Sequence, residues 1–214
     1  MSRPRFEKMD AERQKRLFDS TAKEFASHGF DGASLNLILE QSGMSKSSLY
    51  YYFDDKADLF TTMIERAIAV FFKEVGGFNP EALTAENFWS AHEDLYRRSI
   101  EVARKNLWLM QFGGMFYRLR GDSKNGSATG RVFNAARQWV SRILTRGQTV
   151  GAVRTDMPQT LLVDMTMALV ESLDRWVVGN WAQLAKNEID ELPSKHIELM
   201  RQLLTSEARS SRTG

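Results

Sequence analysis

An all-α fold is predicted by three features of the sequence. Apolar residues recur at spacings of three and four along most of the chain, and no run alternates β-branched with polar residues between hairpin turns. Proline is scarce, at Pro4, Pro80, Pro158 and Pro193, and the last three fall where helical patterns begin or end. Leu17, Ala22 and Phe25 mark one helix, Leu59, Met63, Ala67 and Phe71 another, and Leu161, Met165, Leu169, Leu173 and Trp176 a third. The periodicity predicts helices over 10–28, 35–42, 46–52, 56–76, 83–105, 107–119, 128–149, 159–186 and 194–206. The early helices are short and closely spaced, the later ones long. A boundary near Asp55 divides the chain into a compact module, 1–55, and a larger helical body, 56–214. Gly121 to Gly130 is read as a flexible loop rich in glycine and serine, and Ser206 to Gly214 as a frayed polar tail.

Composition narrows the function classes. Hydrophobic residues make up 43% of the 214, enough for a packed core. Formal net charge is only +2, from 29 basic and 27 acidic residues, so any nucleic-acid binding must rest on local placement of cations. The absence of cysteine removes disulfides, thiol catalysis and cysteine metal sites, and suits a reducing compartment. Met1 to Asp10 lacks the apolar centre of a signal peptide, and the longest apolar stretch, Leu107 to Leu119, is too short and interrupted to span a bilayer. A cytoplasmic protein with no membrane partner is expected.

Residues 29–60, GFDGASLNLILEQSGMSKSSLYYYFDDKADLF, carry the functional signal. Gly29 can end the first helix in the left-handed conformation. Ser34 can cap a helix whose Leu35, Ile38 and Leu39 face inward, and Gly43 stops it after barely two turns. Ser45 caps the next helix, Leu49 returns to the core, and Asp55 caps a longer one with Asp58 in its first turn. Two short helices joined around a glycine form a helix-turn-helix. The hydroxyls of Ser45, Ser47, Ser48, Tyr50, Tyr51 and Tyr52 can reach phosphates or base edges without bringing negative charge to a groove. Lys46 lies in the first turn of that helix, and Lys56 starts the next. The basic leader is read as a solvated tail, with a minor-groove arm as the alternative.

Phe25, Gly29-Phe30, Ser34, Ile38, Gly43, Ser45-Lys46, Ser48-Leu49-Tyr50, Phe53, Lys56 and Leu59 together resemble the DNA-binding domain of the tetracycline-repressor (TetR) family, over roughly residues 10–60. Leu37 departs from the pattern, standing where an acidic or polar residue would complete a capping box with Ser34. The resemblance implies that Tyr50 and Lys56 hold phosphates. It implies that Lys46, Ser47, Tyr51 and Tyr52 line the major groove, helped by Ser34 and Asn36. It further implies a homodimeric regulator of double-stranded operator DNA, with repression relieved by a small-molecule effector.

The body is rich in large, soft side chains. Trp89, His92, Tyr96, Trp108, Phe112, Met115, Phe116, Trp139, Met165 and Trp176 could line a pocket for an apolar or aromatic effector, although most such positions are ordinarily core. Gly113-Gly114 could mark a kink. The helix from 159, with Leu161, Ala168, Leu169 and Ser172, and helix 194–206, with Ile197, Met200 and Leu204, could supply half of a four-helix dimer bundle; a wholly intrachain core is the alternative. No catalytic constellation is present and no cofactor or metal is implied: around His92, a zinc pair would need histidine where Phe88 and Tyr96 stand. Two other readings fit the body. One is a DNA-binding regulator controlled by a protein partner or by no ligand; the other, more remote, is a helical enzyme or carrier.

Overall fold

A computed structural model of the chain describes residues 4–106 and 126–206, with side chains from Phe6 to Asn106 and from Phe133 to Ser206. Among the described residues all regular structure is helical. Contacts divide the chain into two compact units. One is built on residues 1–76 and 102–130, the other on 77–101 and 131–214.

In the first unit the chain forms α1 (Pro4–Glu7), α2 (Ala11–Gly32), α3 (Leu35–Ser42), α4 (Lys46–Tyr52) and α5 (Lys56–Val75). Asp10 caps α2 by accepting from the Glu12 and Arg13 amides at 3.0 and 3.1 Å. Leu17, Thr21 and Phe25, one turn apart, are fully buried along its inner face. Gly29, at φ 70°, breaks the helix where expected, and one further turn follows to Gly32. Ile38 of α3, Leu49 of α4, Phe53, and Leu59 and Met63 of α5 complete the core, each at most 1% exposed. Edge-to-face aromatic packing ties the end of α2 to α5, with Phe60 5.1 Å from Phe25 and 5.3 Å from Phe30.

The leader is not a solvated tail from Phe6 on. Phe6 is 2% exposed, 5.7 Å from Phe18, 6.5 Å from Tyr52 and 5.2 Å from Phe53. Gln14 secures it by donating to the Phe6 and Met9 carbonyls at 3.1 and 2.9 Å. Charge made this stretch look polar, but one aromatic ring at a hydrophobic seam outweighs the solvation of its neighbours.

In the second unit a 3-10 turn, Pro80–Ala82, precedes α6 (Phe88–Lys105), whose last turn is counted with the first unit. Thr84 and Asn87 cap each other, the Thr84 amide donating to Asn87 Oδ1 at 2.8 Å, so α6 starts later than the periodicity predicts. Helices α7 (Gly126–Thr149), α8 (Gln159–Asn180) and α9 (Lys186–Leu204) follow. The stretch read as a loop up to Gly130 is therefore helical from Gly126. Helix α8 ends at Asn180, where the Asn180 carbonyl turns the chain by accepting from the Gln183 and Leu184 amides. Pro193 does not punctuate a helix but lies buried inside α9, about two turns in. The helix starts upstream because the Glu188 carboxylate caps the Ala185 amide at 2.7 Å.

Leu83, Phe88, Leu144, Val153, Leu162, Met200 and Leu204 share one hydrophobic cluster. Gly147 lets the chain close there, because a Cβ would lie 2.8 Å from the Phe88 ring. Further along the same helices, the Tyr96 ring lies 4.0 Å from His196.

Two outcomes follow from this packing. Phe6→Ala is expected to destabilise the first unit by about 3 kcal/mol, the low end for a buried phenylalanine because a terminal turn can relax; a urea midpoint within error of the parent would contradict the role given to this ring. The second concerns acid. Burial pushes the His196 pKa down to about 4. The unfolded ring titrates near 6.5, so between these values the unfolded chain binds more protons and stability falls as pH falls. From pH 7.5 to pH 5 the loss from His196 is about 2 kcal/mol, and His196→Leu should remove that part of the acid sensitivity in paired urea melts.

Candidate DNA-binding interface

The bend between α2 and α3 is fixed by a buried charge. Ser34 caps α3 with its hydroxyl, accepting from the Leu37 amide at 3.3 Å, and its own amide donates to Glu24 Oε1 at 2.8 Å. Glu24, 4% exposed, reaches across from α2 to do what the expected capping-box residue would have done at position 37. Sequence periodicity gave no sign of this, since the partners are ten residues apart.

Gly43 ends α3 in the left-handed conformation, φ 67° and ψ 25°. Its amide and that of Met44 donate back to the last turn, Met44 to the Leu39 carbonyl at 3.0 Å, in a Schellman arrangement. The chain then restarts at Ser45, whose hydroxyl accepts from the Ser48 amide at 3.1 Å and sits 3.1 Å from the Ser47 hydroxyl.

Helix α4 is thereby presented with two distinct faces. Leu49 is 1% exposed and the Phe53 ring that follows is equally buried. On the opposite side Lys46, Ser47, Tyr50 and Tyr51 are all exposed, Tyr50 by 46% and Tyr51 by 54%. Spacings of three and four residues put these four side chains on one continuous surface, and that surface contains no carboxylate. Ser48 is half-buried, and Asn36 and Ser34 are exposed at the start of α3.

Two expected members of the set are placed otherwise. Tyr52 turns inward: its half-buried ring lies 6.5 Å from both Phe6 and Phe53 and packs edge-on to Tyr51 at 5.0 Å. Three consecutive residues of a helix cannot share a face, and Tyr52 is the one on the core side. Lys56 is engaged by the protein itself. Its ammonium donates to the Asp31 and Ala33 carbonyls at 3.1 and 3.0 Å and lies 5.0 Å from the centre of the Phe30 ring. Two of its three N–H groups therefore satisfy the carbonyls at the end of α2, leaving one for an outside acceptor. Asp55 caps α5 as expected, accepting from Asp58 at 2.8 Å.

The residues expected to line an effector pocket scatter more widely. Trp89, His92, Tyr96, Trp139 and Met165 are half-buried within the second unit. His92 lies 5.0 Å from Phe78 and 4.6 Å from Phe88, and Phe78 lies 5.6 Å from Trp139. The Arg201 guanidinium sits 5.4 Å from the centre of the Trp89 ring. Trp176 instead faces solvent, 52% exposed, on the same side of α8 as Leu161, Ala168 and Ser172. Trp108, Phe112, Met115, Phe116, the helix expected over 107–119 and Gly113-Gly114 lie outside the described residues. Phe78, just ahead of the Asn79-Pro80 turn, was missed because a lone aromatic before a turn has no periodicity to mark it.

Of the expected interface set, Leu161, at 45%, Ala168 and Ser172 are exposed and Leu169 is half-buried. Ile197, Met200 and Leu204 are buried within their own chain, at 8%, 6% and 3%, and the exposed apolar residue of α9 is Leu199, at 42%. One α9 face is already occupied by the cluster around Phe88 and Leu162.

Residues 17–63 match the family described as "Bacterial regulatory proteins, tetR family". An HTH-type transcriptional repressor of Streptomyces coelicolor is 34% identical over 51 residues, 24% of this chain and 27% of that relative's length. Among solved structures, a TetR family transcriptional regulator from Chloroflexus aurantiacus superposes with a TM-score of 0.65 at 22% identity, covering 95% of this chain and 93% of that one. The transcriptional regulator FadR from Bacillus subtilis, solved in complex with stearoyl-CoA, gives a TM-score of 0.68 at 15% identity, covering 89% and 99%. Residues 17–63 thus match the tetR-family model across the helix-turn-helix, and the described residues have the all-helical fold seen in solved tetR-type proteins.

Proposed function

We propose that this protein is a dimeric transcription regulator, a repressor released from a pseudo-palindromic operator by a small apolar or aromatic effector. The observation that carries the reading is the carboxylate-free face of α4, where Lys46, Ser47, Tyr50 and Tyr51 stand exposed opposite a buried Leu49. Residues 1–55 act as the DNA-binding domain and 56–214 as the effector-binding and dimerisation domain. Lys46 and the tyrosine hydroxyls meet phosphates and base edges, with Asn36 and Ser34 at the flank. No helix among the described residues is long and apolar enough to cross a membrane, which accords with a protein acting on DNA in the cytoplasm.

The exposed side of α8 supports a dimer interface. Leu161, Ala168, Ser172 and Trp176, spaced by seven, four and four residues, form an apolar and small-residue stripe suited to a second copy of the same helix. Leu169 flanks the stripe. The buried Ile197, Met200 and Leu204 hold α9 in place, and Leu199 contributes to the contact. Two α4 copies would then enter successive major grooves, roughly 34–36 Å apart.

Effector binding is transmitted through α5. Lys56 at its N-terminus grips the end of α2, so a shift of α5 is passed to the module through two charge-assisted hydrogen bonds rather than through a flexible link. A coupling of about 1–3 kcal/mol is enough to change operator occupancy five-fold or more. The FadR relative, whose structure contains stearoyl-CoA, supports a ligand-binding body of this kind.

Footprinting of the full-length protein on DNA flanking its own gene should reveal a protected inverted repeat; uniform or absent protection would overturn the reading. In anisotropy titrations on that site, Lys46→Ala with Tyr50→Ala should weaken binding at least ten-fold and flatten its salt dependence. Tyr52→Phe, which alters only the inward ring, should stay within about two-fold of the parent.

A further inference from the structure

The second unit buries more hydrogen-bonding capacity than its own side chains satisfy. His92 Nδ1 lies 2.5 Å from the Phe88 carbonyl, one turn earlier in α6. A carbonyl only accepts, so this nitrogen carries the proton and donates. The neutral ring then has its lone pair on Nε2, which is buried without a partner among the described residues. Burial keeps the ring neutral by pushing its pKa below the ordinary value. Thr166 Oγ1 on α8 and His196 Nδ1 on α9 are in the same condition, each on a residue 7% exposed.

These atoms belong to one region. His92 and Tyr96 stand one turn apart on one face of α6. Phe88 clusters with Leu162, Val163 and Met200, while Tyr96 hydrogen-bonds Asp174 and stacks 4.0 Å from His196. Helices α6 and α8 therefore run in the same sense and α9 runs oppositely, with His92 on α6 between those two layers. The wall at this level is aromatic, with Phe78 beside His92 and Trp139 beside Phe78. Its charge character is also defined. The Asp174 carboxylate stands at its Tyr96 end and the Arg201 guanidinium at its Trp89 end, so neither sign of charge prevails, while Arg175 and Arg137 are paired with Glu171 and Asp164.

We infer that the second unit binds a flat, neutral aromatic molecule bearing a hydroxyl or ring N–H, which donates to His92 Nε2 while its ring lies against Phe78 and Trp139. The inference rests on the reading of the body as effector-binding and narrows it: an apolar ring alone leaves the acceptor unmatched, and a donor-bearing ring does not. Thr166 Oγ1 on α8 and His196 Nδ1 on α9 are the further buried polar atoms of this unit open to a second polar substituent. A site with a buried acceptor discriminates strongly against a ligand that lacks the donor, because the mismatch leaves that acceptor unpaired.

Matched probes test this on the full-length protein by calorimetric titration and thermal shift: phenol against toluene, and indole against indene. The donor-bearing member of each pair is expected to bind at least ten-fold more tightly. His92→Phe should abolish the preference, and His92→Gln, which returns an acceptor near the Nε2 position, should restore it, with circular dichroism confirming that both variants fold. Equal binding within each pair, read on the parent protein without any variant, overturns the inference while leaving an apolar effector site standing. A preference that survives His92→Phe in a folded variant overturns the role given to His92. No binding of any of the four probes overturns the inference, while the broader effector-binding reading falls only if no ligand class stabilises the protein, and protection of the operator is measured separately.

Discussion

Leu49 is the side chain on which the presented surface of α4 depends. A helix of seven residues is far too short to hold its shape alone in water, since the nucleation cost is spread over too few hydrogen bonds. Its persistence and its rotation about its own axis are both set by what it buries. Full burial of a leucine contributes about 1.5–3 kcal/mol, and Leu49 is followed one turn later by the equally buried Phe53. With that side pinned, geometry leaves Lys46, Ser47, Tyr50 and Tyr51 outside. The outward chemistry is thus a consequence of the inward contact. Phe6 reinforces it from the leader by closing over Phe53 and Tyr52.

The approach to α4 depends on polar groups at least as much as on apolar ones. The α2–α3 bend is held from one side by the Glu24 carboxylate on the Ser34 amide and from the other by the Lys56 ammonium on the Asp31 and Ala33 carbonyls. An amide that would otherwise be unpaired receives an acceptor, and carbonyls at a helix end receive a donor. Both charges lie in a segment where charge invites a nucleic-acid reading, yet each first satisfies the backbone. The bend is thus held by hydrogen bonds from both sides at the point where α5 begins.

The second unit applies the same physics with a different result. Its cluster around Phe88, Leu162 and Met200 is apolar and closely packed, with Gly147 leaving room for the Phe88 ring. Farther along the same helices the interior becomes polar, with Tyr96, Asp174, His92, Thr166 and His196 between α6, α8 and α9. Buried polar groups in one place are costly to maintain.

The sequence by itself determined what is local. Helical periods, and the caps at Ser34, Ser45 and Asp55, follow from residues within a turn of one another, and so does the left-handed stop at Gly43, so pattern and chemistry suffice. Those elements carry the helix-turn-helix and its exposed Lys46-Ser47-Tyr50-Tyr51 face. Only the tertiary structure decided where each side chain is directed. Tyr52 turns to Phe6, Lys56 reaches a carbonyl 25 positions away, Ile197, Met200 and Leu204 turn inward, Trp176 turns out, and Pro193 is absorbed into α9. Tyr52, Lys56, Met200 and Leu204 owe their direction to partners distant in the chain. Propensity and spacing describe the energy of a segment with itself, whereas direction is set by the energy between segments, and that term exists only once the chain has packed.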